Sequence, residues 1–136
     1  MFAEGGVAYV YLCYGIHHLF NVVTNVADTP HAVLIRAGEP LEGIDHMLLR
    51  RKKSTLTPAL TSGPGALSAA LGIRTIHNGV SLNEDSISIK DMGTNIAPAQ
   101  IIAATRVGVA YAGADALLPY RFYIAGNRVV SKAKGL

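Results

Sequence analysis

The sequence predicts an α+β fold, a single mixed domain of mainly antiparallel strands with flanking helices. Three observations carry this. Apolar and polar residues alternate on both sides of a glycine between Ala8 and Val22, the mark of a hairpin. Two segments, LEGIDHMLLRRKK and the run that starts at Pro64, carry helix signals. The later chain returns to alternation in VSLNEDSISIK and PYRFYIAGNRVV. At 136 residues, half of them hydrophobic, the chain is long enough to bury a real core as one domain over 1–136.

The hairpin comes first. Ala8, Val10 and Leu12 fall on one face of its first arm and Tyr9, Tyr11 and Cys13 on the other. Gly15 supplies the permissive backbone for reversal. Ile16, His18, Phe20 and Val22 share one face of the second arm, and His17, Leu19 and Asn21 the other. Tyr14 is left near the tip, where nothing in the same chain need cover it. Aromatic faces on the adjoining strand suit a flat ligand such as a nucleic-acid base. The same tyrosines are also ordinary β formers, half-buried with their hydroxyls in water, and the stretch alone favours that plainer reading.

His31 to Ala37 reads as a buried strand in which Val33 and Ile35 oppose Ala32, Leu34 and Arg36. An arginine inside such a strand needs a partner, either a structural carboxylate or a polar pocket. Gly38-Glu39-Pro40 ends the strand. In the helix that follows, Leu41, Ile44, Leu48 and Leu49 sit at helical spacing, and Arg50, Arg51, Lys52 and Lys53 close it. Cations at a helix C-terminus answer the macrodipole; four in a row also suit phosphate. Ser62, Gly63 and Pro64 then open a second helix that Gly72 ends, and its free N–H groups can hold a DNA phosphate. The spacing there is not that of a P-loop.

Val80 to Lys90 reads as a half-exposed strand and residues 91 to 98 as loop. Ala99 to Tyr111 is apolar with Arg106 inside it, and AGADA is a turn. Tyr120, Phe122 and Ile124 alternate with Arg121 and Tyr123 before a turn at Gly126-Asn127, which makes a closing strand pair.

Composition excludes several classes. Only 15% of residues are charged, and the mean hydropathy is +0.31, so some apolar surface is meant for a partner or for further sequence. Glycine, proline, histidine and charged residues interrupt every apolar run, so no membrane span is expected. MFAEGGVAY does not read as a signal peptide. The lone Cys13 fits a reducing cytoplasm. A net charge of +3 and a pI of about 9.2 are compatible with a polyanionic partner. His17 and His18 are adjacent and point to opposite faces of a strand, while His31, His46 and His77 lie in separate elements, so a site free of metal and cofactor is expected.

Five ordered blocks carry a family resemblance: AYVYLCYGIHHLFNVV, HAVLIRAGEPLEG, LTSGPGALSAALGI, TRVGVAYAG and PYRFYIAGNRVVS. Together they resemble the alkyladenine (3-methyladenine) DNA glycosylases across nearly the whole chain. The resemblance implies a curved sheet whose protruding hairpin enters the DNA minor groove. It implies a monofunctional, monomeric base-excision repair hydrolase on double-stranded DNA, located in the bacterial cytoplasm at the nucleoid, or in a eukaryotic nucleus. A damaged purine would be flipped out and its N-glycosidic bond hydrolysed by activated water.

The resemblance also assigns residues. Tyr14 would wedge into the base stack, Tyr11 would stack on the extruded base, and Asn21 would exclude guanine by crowding its exocyclic amine. Arg36 and the backbone carbonyl of Val107 would hold the attacking water. His17 stands on the base-binding side where relatives can carry an aromatic, and Ala66 where they can carry a lysine. Arg51, Lys52, Ser62 and Gly63 are the candidate contacts to the DNA backbone. The family's general base, a glutamate in a short Glu-Ala-Tyr motif, lies upstream of the hairpin. None of the nine carboxylates here, Glu4, Asp28, Glu39, Glu42, Asp45, Glu84, Asp85, Asp91 and Asp115, matches it. The chain is therefore expected to correspond to the C-terminal part of the glycosylase domain. Two further readings remain open: a protein that binds lesions without cutting, and a plain basic α+β interaction domain.

Overall fold

The computed structural model describes residues 1–83 and 86–132. Its first sheet has three antiparallel strands in the order β1 (Ala8–Cys13), β2 (His17–Val23), β3 (Ala32–Leu34). The hairpin closes through two consecutive left-handed residues, Tyr14 at φ 52° and Gly15 at φ 69°, with the Ile16 N–H donating to the Cys13 carbonyl at 3.2 Å. That turn sets a register in which Tyr9 faces Asn21, Tyr11 faces Leu19 and Cys13 faces His17. Ala8, Val10 and Phe20 point the other way and form a core with Ile73 and Leu82, against which Val22, Ile35 and Ile87 pack.

β3 is shorter than the predicted strand. Ile35 still donates to the Phe20 carbonyl at 3.0 Å, and Ala37 bridges to Ser62.

α1 (Ile44–Arg51) begins after Gly43, at φ 69°, and ends at Lys52, at φ 52°. Its buried stripe is not the predicted one. Met47 is buried with Leu60 and Ala70 while Leu48 flanks them, and Leu41 and Leu49 are exposed. Leu41 lies before the helix starts, so the inward positions are 44, 47 and 48. α2 (Pro64–Leu71) starts at the expected proline and stops at Gly72, but its cap is Gly63 at φ 103°, with no side-chain capping bond, rather than Ser62.

Among the described residues from Val80 to Lys90 the expected strand does not form. Residues 78 to 82 cross the outer edge of β1: Val10 N–H donates to Asn78 Oδ1 and Ala8 N–H to the Val80 carbonyl. Pairing then reduces to single bridges, Val7 with Ser81 and Asn83 with Ser88. Glu84 and Asp85, in the middle of this stretch, lie outside the described residues.

Strands in the later chain form a second, separate sheet instead of extending the first. β4 (Ile101–Ala104) pairs antiparallel with β5 (Arg121–Ile124), Ile102 facing Tyr123 and Ala104 facing Arg121. The closing pair is thus made with an upstream strand rather than across Gly126-Asn127. Between β4 and β5 the run from Ala110 to Leu117 is 3-10 helical, broken at Gly113. The alternation in β5 is inverted relative to burial: Tyr120, Phe122 and Ile124 are exposed and Arg121 is buried.

Candidate nucleic-acid interface

The hairpin register gathers Tyr9, Tyr11, Cys13, His17, Leu19 and Asn21 on one face. The Tyr9 and Tyr11 rings stand 5.4 Å apart between centroids, tilted by 36°. Tyr11 keeps 37% of its surface exposed. Its phenol is pushed above the ordinary tyrosine range, first by burial and then by Cys13, Tyr9 and Tyr111. Tyr11 is a neutral aromatic platform at any physiological pH.

Asn21 is only 7% exposed, and its amide Nδ2 donates to the carbonyls of Tyr9 at 3.2 Å and Leu19 at 3.4 Å. Those bonds fix a polar side chain beside the Tyr11 platform. Tyr14 is the opposite case. Its ring is 87% exposed, on a backbone that a non-glycine residue adopts only at a cost. Leu12 and Ile16, on either side of the tip, are exposed as well.

His17 leaves this cluster and lies on α2. A Cβ built on Gly65 would come within 2.7 Å of His17 Nδ1, so a side chain there would require the exposed imidazole to shift. His18, on the opposite face, accepts the Thr75 N–H on Nδ1 at 3.1 Å. The two histidines, Ile16, Arg51, Gly65 and Ala66 help line an open groove of about 260 Å³. Arg51 is partly committed to the fold: Nε donates to the Leu60 carbonyl and Nη2 to the Ala59 carbonyl, each at 3.2 Å. Arg50 likewise donates to the Ala70 carbonyl at 3.0 Å. Lys52 is exposed. Ser62 is held in its bridge to Ala37, and Gly63 forms the α2 cap.

Arg36 is half-buried, and its Nε has no hydrogen-bond partner among the described residues. Its pKa is lowered by burial and then by the charge of Arg121. Val107 is half-buried between Arg106 and Gly108, the latter at φ 73°. Two residues of these surroundings escaped the sequence reading. Arg121 looked like the outward side of an alternating strand, and Tyr111 looked like the end of an apolar run. The only signal for Arg121 was its place opposite Ala104, which requires knowing the pairing. The structure thus brings Tyr11 and Asn21 onto one face and groups His17 with Arg51 in one groove. Among the described residues no three of His, Cys, Asp or Glu converge as a metal site, and no helix is long and apolar enough to cross a membrane.

Comparison with known proteins bears on this arrangement. Residues 1–128 match the family described as methylpurine-DNA glycosylase (MPG). A protein of Bacillus cereus (strain G9842), named "Putative 3-methyladenine DNA glycosylase", is 44% identical over 141 residues, covering 97% of this chain and 68% of its own length. Proteins of the same name from Bacillus thuringiensis (strain Al Hakam) and Bacillus anthracis (strain A0248) are each 43% identical over 140 residues, with 97% of this chain and 68% of theirs covered.

Proposed function

The chain belongs to the methylpurine-DNA glycosylase family, and from that membership we propose that it recognises damaged purines in duplex DNA by flipping them out of the stack. The observation that carries this is Tyr14. A tyrosine in left-handed backbone costs roughly 1–2 kcal/mol, and a ring that is 87% exposed returns almost none of it to the fold. A bare aromatic between exposed Leu12 and Ile16 is suited to enter a base stack. Insertion offsets an unpairing cost of a few kcal/mol, smallest where the lesion already pairs badly.

The remaining roles follow from the chemistry of the same face. Tyr11 stacks on the extruded base, and alkylation at N3 or N7 makes that base cationic, which strengthens contact with an aromatic face. Asn21, held by two carbonyls, crowds the exocyclic amine of guanine. Arg36 and the Val107 carbonyl hold the attacking water, and Lys52 and the start of α2 contact phosphates. The reaction is single-step hydrolysis, with a cationic base as a good leaving group. No lysine falls in the pocket-forming blocks, so no Schiff base forms and borohydride traps nothing.

In this reading the general base is none of the nine carboxylates of this chain, which covers 68% of the length of the Bacillus cereus relative. The test is single-turnover release of hypoxanthine or 3-methyladenine from a duplex, by this chain and by a version extended upstream. Release by the extended protein alone is expected. Release by both would place the base among the carboxylates named above, and selective binding without release by either would make the protein a lesion binder.

A further inference from the structure

Tyr9 has no role in the chemistry above, yet it meets both residues that select the base. It is half-buried on β1, one step along the same face from Tyr11. The two rings stand 5.4 Å apart between centroids at 36°, a separation and tilt favourable for an aromatic pair. Across the hairpin Tyr9 stands directly opposite Asn21, which on its other side faces Leu34 of β3. Asn21 Nδ2 donates to the Tyr9 carbonyl at 3.2 Å. The main chain of Tyr9 thus holds the amide, and its side chain lies against the ring of Tyr11.

Tyr11 needs such a support. It is 37% exposed, and on a strand an aromatic side chain has more than one favourable χ1 rotamer. A platform free to swing has to be ordered when a base stacks on it, which weakens binding. A ring already held at one tilt avoids that cost. The plane bears on selectivity as well as affinity, because Asn21 is almost fully buried and bonded to two carbonyls, and so cannot follow a ring that moves. Crowding of guanine's exocyclic amine at Asn21 requires the base plane that Tyr11 sets.

We propose that Tyr9 is a positioning residue for the damaged base, its ring setting the plane of the Tyr11 platform at a fixed spacing from the Asn21 amide. It acts through Tyr11 and not on the base. This role rests on the reading of the hairpin face as the seat of a flipped purine.

The test is fluorescence-anisotropy titration of the chain with a hypoxanthine duplex and with the same duplex undamaged. Tyr9→Leu keeps an apolar side chain but removes the ring pair, and should lower the ratio of the two affinities about threefold to tenfold. Tyr9→Phe keeps the ring and should keep the ratio. In a Tyr11→Leu background, Tyr9→Leu should change the ratio no further, since a residue that acts through Tyr11 has nothing left to position. A purely structural role would instead lower the urea midpoint and both affinities together. Losses from Tyr9→Leu and Tyr11→Leu that multiply, or an equal loss from Tyr9→Phe and Tyr9→Leu, would overturn the proposal. Should Tyr9→Leu fail to fold by circular dichroism, Tyr9→Ile and Tyr9→Val make the same comparison. Absence of lesion preference in the unaltered protein would overturn base flipping and this role with it; a lesion preference that survives Tyr9→Leu intact would overturn the role alone.

Discussion

At the scale of the residue, Tyr14 separates the needs of folding from the needs of function. Its neighbour Gly15 takes left-handed backbone freely, whereas Tyr14 takes it against its Cβ. Tyr14→Gly removes that strain and adds freedom to the unfolded chain, so stability should change by no more than about 1 kcal/mol. Lesion preference over undamaged duplex should fall at least about tenfold, as a stacking contact is lost. Urea titration and anisotropy check the two halves separately, and a large stability loss would mean that the ring is part of the fold. Tyr14, Tyr11 and Asn21 were legible in the sequence because a two-residue alternation and one glycine determine where each points. Arg121 was not, since a buried arginine on a short strand reads as a solvent-facing one until its partner strand is known.

At the scale of the element, the hairpin is held by how α2 docks on it. Gly65 gives His17 its place, and a methyl group there would sit 2.7 Å from the imidazole. Gly65→Ala should therefore cost about 1–3 kcal/mol as an overpacked contact. The same change in a His17→Ala background should cost little, and denaturant melts of the four proteins measure the coupling. Additive losses would show that the two residues do not meet. Helix and hairpin positions followed from local signals: Pro64, Gly72 and Gly15 each mark a boundary that the structure keeps. Faces were harder. Leu41 and Leu49 fit the spacing of α1 as well as Met47 does, and only the starting point at Gly43 decides that Met47 turns inward. The alternating run from Val80 failed as a strand because β1 offers it an edge over only a few residues.

At the scale of the whole molecule, stability is uneven. Among the described residues one buried apolar cluster joins the first sheet to Ile73 and Leu82, the other joins α1 and α2 to Leu60, and neither contains a residue of β4 or β5. Ile101, Phe122 and Ile124 leave that second sheet with an exposed apolar face, the surface that a mean hydropathy of +0.31 anticipates. Amides of Ile102 and Tyr123 should exchange with solvent at least about tenfold faster than those of Phe20 and Val22, as expected for a unit outside the core. Equal protection would mean that the two sheets unfold together. Long-range pairing of this kind is not encoded in any local pattern, which is why one sheet was expected where there are two. The account as a whole turns on whether the hairpin tip opens the duplex. The most direct measurement is the fluorescence of 2-aminopurine placed beside hypoxanthine, which rises when its neighbour leaves the stack. Binding of this chain should raise it and Tyr14→Ala should abolish the rise; an unchanged signal on saturating binding, or an equal rise with Tyr14→Ala, would contradict a tyrosine wedge.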